Sequence, residues 1–150
     1  MAKFDTVNDS SWVLLGKITL NGTAAVASAA VDLQGFNAAD IAFLNAAITD
    51  AGAAAGFTVK LQESDALVGT GFTDVATAYA VNGAVTTTTT VDTDDDKLTA
   101  VLGYVGGKRY LRAVATGTTA SAGDVYVLAR RSRSSVSRPN TIVGASTATT

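Results

Sequence analysis

The side chains able to do chemistry in this chain are carboxylates, Lys, Arg, Ser, Thr and Tyr, and four stretches bring them close in sequence. Asp92-Thr-Asp-Asp-Asp-Lys puts acids at positions 1, 3 and 5 of a calcium loop. Such a loop needs Gly at position 6 and a bidentate Glu at position 12, where this chain has Lys97 and Gly103, so a solvated acidic turn is the better reading. Gly103-Tyr-Val-Gly-Gly-Lys-Arg invites comparison with a phosphate loop. That loop needs a Gly five residues before the Gly-Lys pair and a Ser or Thr after it; Leu102 and Arg109 stand there instead. Glu63 and Asp65 have the residue types of a glycosidase acid pair, yet they lie in Gln62-Glu-Ser-Asp, a polar strand end. Arg130, Arg131, Arg133 and Arg138, interleaved with Ser, suit phosphate contacts. They lack the aromatic interleaving that stacks bases.

The composition removes whole classes of mechanism. The chain has no His and no Cys. Ser-His-Asp and Cys-His nucleophiles, thiolate metal sites and disulfides are therefore excluded. No enzyme and no cofactor is expected. The sequence pI of about 4.8 argues against a dedicated nucleic-acid binder. No apolar run nears the roughly 20 residues that span a bilayer, so no membrane partner is expected. No apolar stretch follows Lys3, so no secretory leader is expected, and the glycosylation sequons at Asn8 and Asn21 carry no weight.

Net charge is −2, but it is unevenly spread. Residues 1–96 sum to −9 and residues 97–150 to +7. Such asymmetry suits an interaction surface, provided that it persists in space.

The elements that must carry these residues read as strands. At 150 residues the chain suits a single domain. It has one Pro and 14 Gly and is rich in Thr, Val and Ala. Trp12–Leu20 is expected to be a strand ending at the Asn21-Gly22 turn, followed by a small apolar stretch over Thr23–Leu33. In Phe57–Gln62, Phe57, Val59 and Leu61 alternate with Thr58, Lys60 and Gln62, the pattern of a half-buried strand. Tyr79–Val81 leads to a second turn at Asn82-Gly83, and the Thr86–Thr90 run favours extended structure. Lys97–Tyr104 and Lys108–Thr116 flank Gly106-Gly107 and read as a hairpin. Asp124–Arg130 is the last strand. Strands about ten residues apart indicate a sandwich or barrel. Residues 38–55 are ambiguous, because Ile41, Leu44 and Ile48 fit one helical face as well as an extended chain. A strand over Asp40–Ile48 is favoured by its surroundings.

Four segments in order, Ala30-Val-Asp-Leu-Gln-Gly-Phe, Phe57-Thr-Val-Lys-Leu-Gln-Glu-Ser-Asp, Phe72-Thr-Asp-Val and Gly103-Tyr-Val-Gly-Gly-Lys-Arg-Tyr-Leu-Arg, resemble a group of small capsid decoration, or cement, proteins of tailed bacteriophages. The resemblance covers roughly residues 22–130. In that group the segment matching Asp40–Ile48 is usually a strand. The polar Arg-Ser stretch after Arg130 departs from the pattern.

The resemblance implies an all-β, jelly-roll-like antiparallel β-sandwich with extended termini. It implies a structural virion protein on the capsid exterior, assembled in the host cytoplasm and bound to the major capsid protein and to its own copies as a homodimer or homotrimer. Residues 1–130 are then the sandwich with a short N-terminal arm, and 131–150 a polar, basic C-terminal arm. Lys3, Phe4 and Trp12 at one end, and Arg131, Arg133 and Arg138 at the other, are the expected partner contacts, because they are expected to lie outside the sandwich. The competing expectation is another virion module: a head-fibre base, a tail component or a carbohydrate-binding sandwich, for which Tyr79 with Asn82, or Tyr104, would supply the aromatic platform.

Overall fold

The computed structural model describes residues 10–49, 57–76, 80–81, 98–118 and 121–134. Ten strands are present in that range: β1 (Ser10–Asn21), β2 (Ala25–Ala27), β3 (Val31–Asp32), β4 (Phe36–Thr49), β5 (Phe57–Ser64), β6 (Thr73–Asp74), β7 (Ala80–Val81), β8 (Leu98–Tyr104), β9 (Tyr110–Gly117) and β10 (Ala122–Ser134). A single 3-10 turn, Gly69–Gly71, interrupts them. No helix among the described residues is long and apolar enough to cross a membrane. The Asn82-Gly83 turn, the Thr86–Thr90 run and the acidic stretch from Asp92 lie outside the described residues.

Two antiparallel sheets pack into a sandwich. The first has the order β1-β10-β4-β8-β7; the second has β2-β9-β5-β6, with β3 also on β9. The long strands β1, β4, β8 and β10 lie in the first sheet, and β5 and β9 in the second. The pairs β1 with β10, β2 and β3 with β9, β4 with β8, and β5 with β6 nest like the rungs of one long hairpin. That hairpin is wrapped so that β10 meets β4 and β9 meets β5. This is the strand order of a jelly roll.

The alternation of side chains explains the layering. Phe57, Val59 and Leu61 of β5 are buried as the period-2 pattern predicts. They face Ile18 and Leu20 of β1, Ile41 and Phe43 of β4, Leu102 of β8, and Val125 and Val127 of β10 within one core. Gly16, at a φ of 102°, makes the bulge at which the β1 register slips against β10. That conformation suits a residue without Cβ. The slip resets the alternation, so Trp12 and Leu14 point outward before it, and Lys17 and Thr19 after it.

Residues 36–49 form one long strand, β4, in the middle of the first sheet. Tertiary pairing with β10 and β8 decides the ambiguity in favour of extended structure. Two expectations are corrected. β8 and β9 do not form a hairpin: they belong to different sheets, and Gly106-Gly107 carries the chain from one layer to the other. The basic segment does not leave the domain at residue 131 either. β10 continues to Ser134, with Arg131 and Ser132 paired to both β1 and β4.

Candidate functional site

The ionisable groups are drawn into separate structural pairs. Lys17 with Asp124, Lys60 with Asp74, Lys108 with Asp65, Arg109 with Asp32 and Arg130 with Asp40 are all ion-paired near the surface. Bonding from Arg109 holds the Asp32 carboxyl below its ordinary range, and Lys60 does the same for Asp74. Glu63 and Asp65 part company. Glu63 is buried and accepts a hydrogen bond from the Tyr104 hydroxyl, while Asp65 is exposed and bonds Lys108. No group of three His, Cys, Asp or Glu residues that could hold a metal ion occurs among the described residues.

A shallow cleft of about 540 Å3 lies at one end of the sandwich, between the β3–β4 turn and the β8–β9 crossover. Its polar lining includes Gln34, Asn37, Asp65, Lys108 and Arg109. Its carboxylate and guanidinium are engaged, Asp65 by Lys108 and Arg109 by Asp32. Tyr104 is buried, which removes it as an exposed carbohydrate platform, and Tyr79 and Asn82 lie outside the described residues.

The expected contact residues separate. Lys3, Phe4 and Arg138 lie outside the described residues, and Arg133 is in β10. Trp12 is in β1, not in an arm; it is 52% exposed, with the Arg130 guanidinium 5.8 Å from its ring centroid. Arg131 faces the other way. Its Nη1 donates to the Asp32 carbonyl at 2.8 Å, its Nη2 donates to Ser11 Oγ at 2.9 Å, and its guanidinium sits 4.5 Å over the Phe36 ring. Arg131 thus ties β10 to β1, β3 and β4 within the domain.

The feature that the motifs did not reveal is the outer face of the first sheet. Three rows run across β1, β10, β4 and β8: Trp12–Arg130–Asp40–Gly103, Leu14–Leu128–Ala42–Val101 and Lys17–Tyr126–Leu44–Leu98. Leu14 and Leu98 are each 59% exposed, and Trp12, Leu44, Val101 and Tyr126 are exposed beside them. The outer face of the second sheet is the opposite in character. There Lys60 and Gln62 both donate to Asp74, and Arg112 donates to Gln62 and lies 4.1 Å over the Phe72 ring. A signal for the apolar face exists in the sequence. Ile41-Ala-Phe-Leu and Val125-Tyr-Val-Leu-Ala have no polar phase, as strands covered on both faces do.

No protein-family model matches the chain, and a search of the curated proteins finds no match.

Proposed function

We propose that this protein works by adhesion, as a structural virion component that decorates the outside of a tailed-phage head, binds the major capsid protein and its own copies, and stabilises the shell. The observation that carries the adhesive part is the contrast between the two sandwich faces. One is dressed with hydrogen-bonded polar side chains, and the other presents Trp12, Leu14, Tyr126, Leu44, Val101 and Leu98 to solvent. Contiguous exposed apolar surface of this kind marks interaction sites. The ionic edges of that face, Arg130–Asp40 and Lys17–Asp124, would supply orientation and discrimination. Repetition over a shell turns modest contacts into firm attachment. The phage-head assignment rests on the resemblance carried by residues 22–130.

The test is to mix the purified full chain with undecorated heads and separate them on a gradient. Co-migration with heads, and a raised temperature of head disruption, is the expected result. A chain that stays at the top of the gradient at saturating concentration overturns the assignment.

A further inference from the structure

Deepening that reading, and resting on it, we infer that the apolar outer face of the first sheet is a self-association seam at which two copies of this chain pack sheet to sheet about a two-fold axis parallel to the strands. The face carries two cations and two carboxylates, Lys17, Arg130, Asp40 and Asp124, and each is already paired within the chain. It therefore has no net charge with which to attract a charged partner, and none to repel its own copy.

The register across the sheet makes the face self-complementary. An axis passing between β10 and β4 lays β10 of one copy over β4 of the other, and β1 over β8. Row by row, Arg130 then meets Asp40, with Trp12 over the buried backbone of Gly103; Leu128 meets Ala42 and Leu14 meets Val101; Tyr126 meets Leu44 and Lys17 lies opposite Leu98. Cation faces carboxylate, and the large side chain Leu128 faces the small position Ala42. The Arg130 and Asp40 charges of the two copies form an alternating square. Aligned sheets cross at about 30°, so the match is best along the central columns, β10 and β4. An isologous contact of this kind closes on itself and does not propagate.

The size of the face sets the strength. Four strands spaced at about 4.8 Å, with three rows about 7 Å apart, outline a projected area of roughly 400 Å2. That is less than the roughly 800 Å2 per partner of a standard interface. Pairing is therefore reversible and concentration-dependent in solution.

The experiment is sedimentation velocity on the full chain over a concentration series. It is run for the wild type, for Arg130→Asp, for Asp40→Arg, and for an equimolar mixture of the two variants, with circular dichroism confirming the fold of each. The wild type is expected to double in mass with concentration. Each variant alone, carrying like charges in the square, is expected to remain monomeric. The mixture is expected to pair again, which no intrachain effect can produce. Emission from the single Trp, Trp12, gives a second readout that needs no charge variant. It should shift to the blue as the wild type pairs.

A wild type that is monomeric at its solubility limit overturns the inference, as does a mixture that fails to pair while both variants are folded. Trp12 emission that is already blue and indifferent to concentration also overturns it, because another part of the same chain would then cover the face. A monomer that still co-migrates with heads overturns the pairing and leaves the decoration reading standing.

Discussion

Tyr104 of β8 donates its hydroxyl hydrogen to Glu63 Oε2 of β5 across 2.5 Å, and the Tyr104 hydroxyl oxygen accepts the Lys108 backbone N–H at 3.1 Å. One phenol thereby bridges the two sheets and anchors the crossover that follows it. Glu63 is 7% exposed and Tyr104 1% exposed, so the bond is made where water competes little.

Tyr104→Phe removes the donor and leaves a buried carboxylate short of a partner. The expected loss is about 1–3 kcal/mol, read from urea denaturation. Burial first, and the Glu63 bond second, raise the Tyr104 pKa above its ordinary 10.0. A raised folded-state value means that the native state keeps a proton which the unfolded chain loses. The stabilisation is complete below pH 10 and declines as pH rises beyond it. Stability measured from pH 9 to pH 11 should therefore fall more steeply in the wild type than in Tyr104→Phe.

Gly106 and Gly107 separate local conformation from packing. A Cβ on Gly106 would overlap the Tyr104 phenol, whereas one on Gly107 would meet nothing within 4 Å. Gly106→Ala must displace the bridge and is expected to cost at least about 1–3 kcal/mol. Gly107→Ala should lie within about 0.5 kcal/mol of wild type. Equal thermal shifts for the two would contradict the packing account.

Arg131 is expected to act on stability. Its guanidinium holds the Asp32 carbonyl and Ser11 Oγ and covers Phe36. Loss of charge-assisted bonds at a half-buried site predicts that Arg131→Ala destabilises the domain by about 1–2 kcal/mol. Removing residues 131–150, which takes Arg131 with it, should lower the denaturation midpoint.

Much of this was legible in the sequence as local pattern. The alternation from Phe57 to Gln62 and the Asn21-Gly22 stop mark strands by the chemistry of neighbouring residues. The β8–β9 connection was not legible, because a Gly-Gly turn looks the same whether the next strand returns to the same sheet or crosses to the other. The long-range pairing of β8 with β4 and of β9 with β5 distinguishes the two, and the Tyr104–Glu63 contact, 41 residues apart in sequence, ties the sheets together. The apolar seam was hidden for a similar reason. Leu14, Tyr126, Leu44 and Leu98 look like core residues when taken singly, and only the register shows that they share the outer face. Arg131 and Arg133 in a Ser-rich run resemble a solvated tail until β1 and β4 pair along both sides of it.

Acid should weaken the fold through its depressed carboxyls. Asp32 accepts from Arg109 Nε at 3.1 Å and Nη2 at 2.8 Å, and from the Gln34 amide at 2.8 Å. These bonds lower its pKa from 3.8. Their contribution is present above about pH 4 and is lost as pH falls through the lower folded-state value. Asp32→Asn is expected to cost up to about 1 kcal/mol at neutral pH, given its partial exposure. It should also flatten the acid limb of a denaturation-midpoint profile between pH 5 and pH 2.

The outermost rung of the wrapped ribbon joins Ser11 to Arg131 across 120 positions of sequence. On a ribosome adding about 5–20 residues per second, β1 emerges roughly 6–24 s before the strand it pairs with. Through that interval its Trp12-Val-Leu-Leu stretch lacks the strand that pairs with it. The native arrangement closes only when the last strand arrives, so maturation is slow and governed by topology, and newly made chains depend on their first strand staying soluble until synthesis reaches β10.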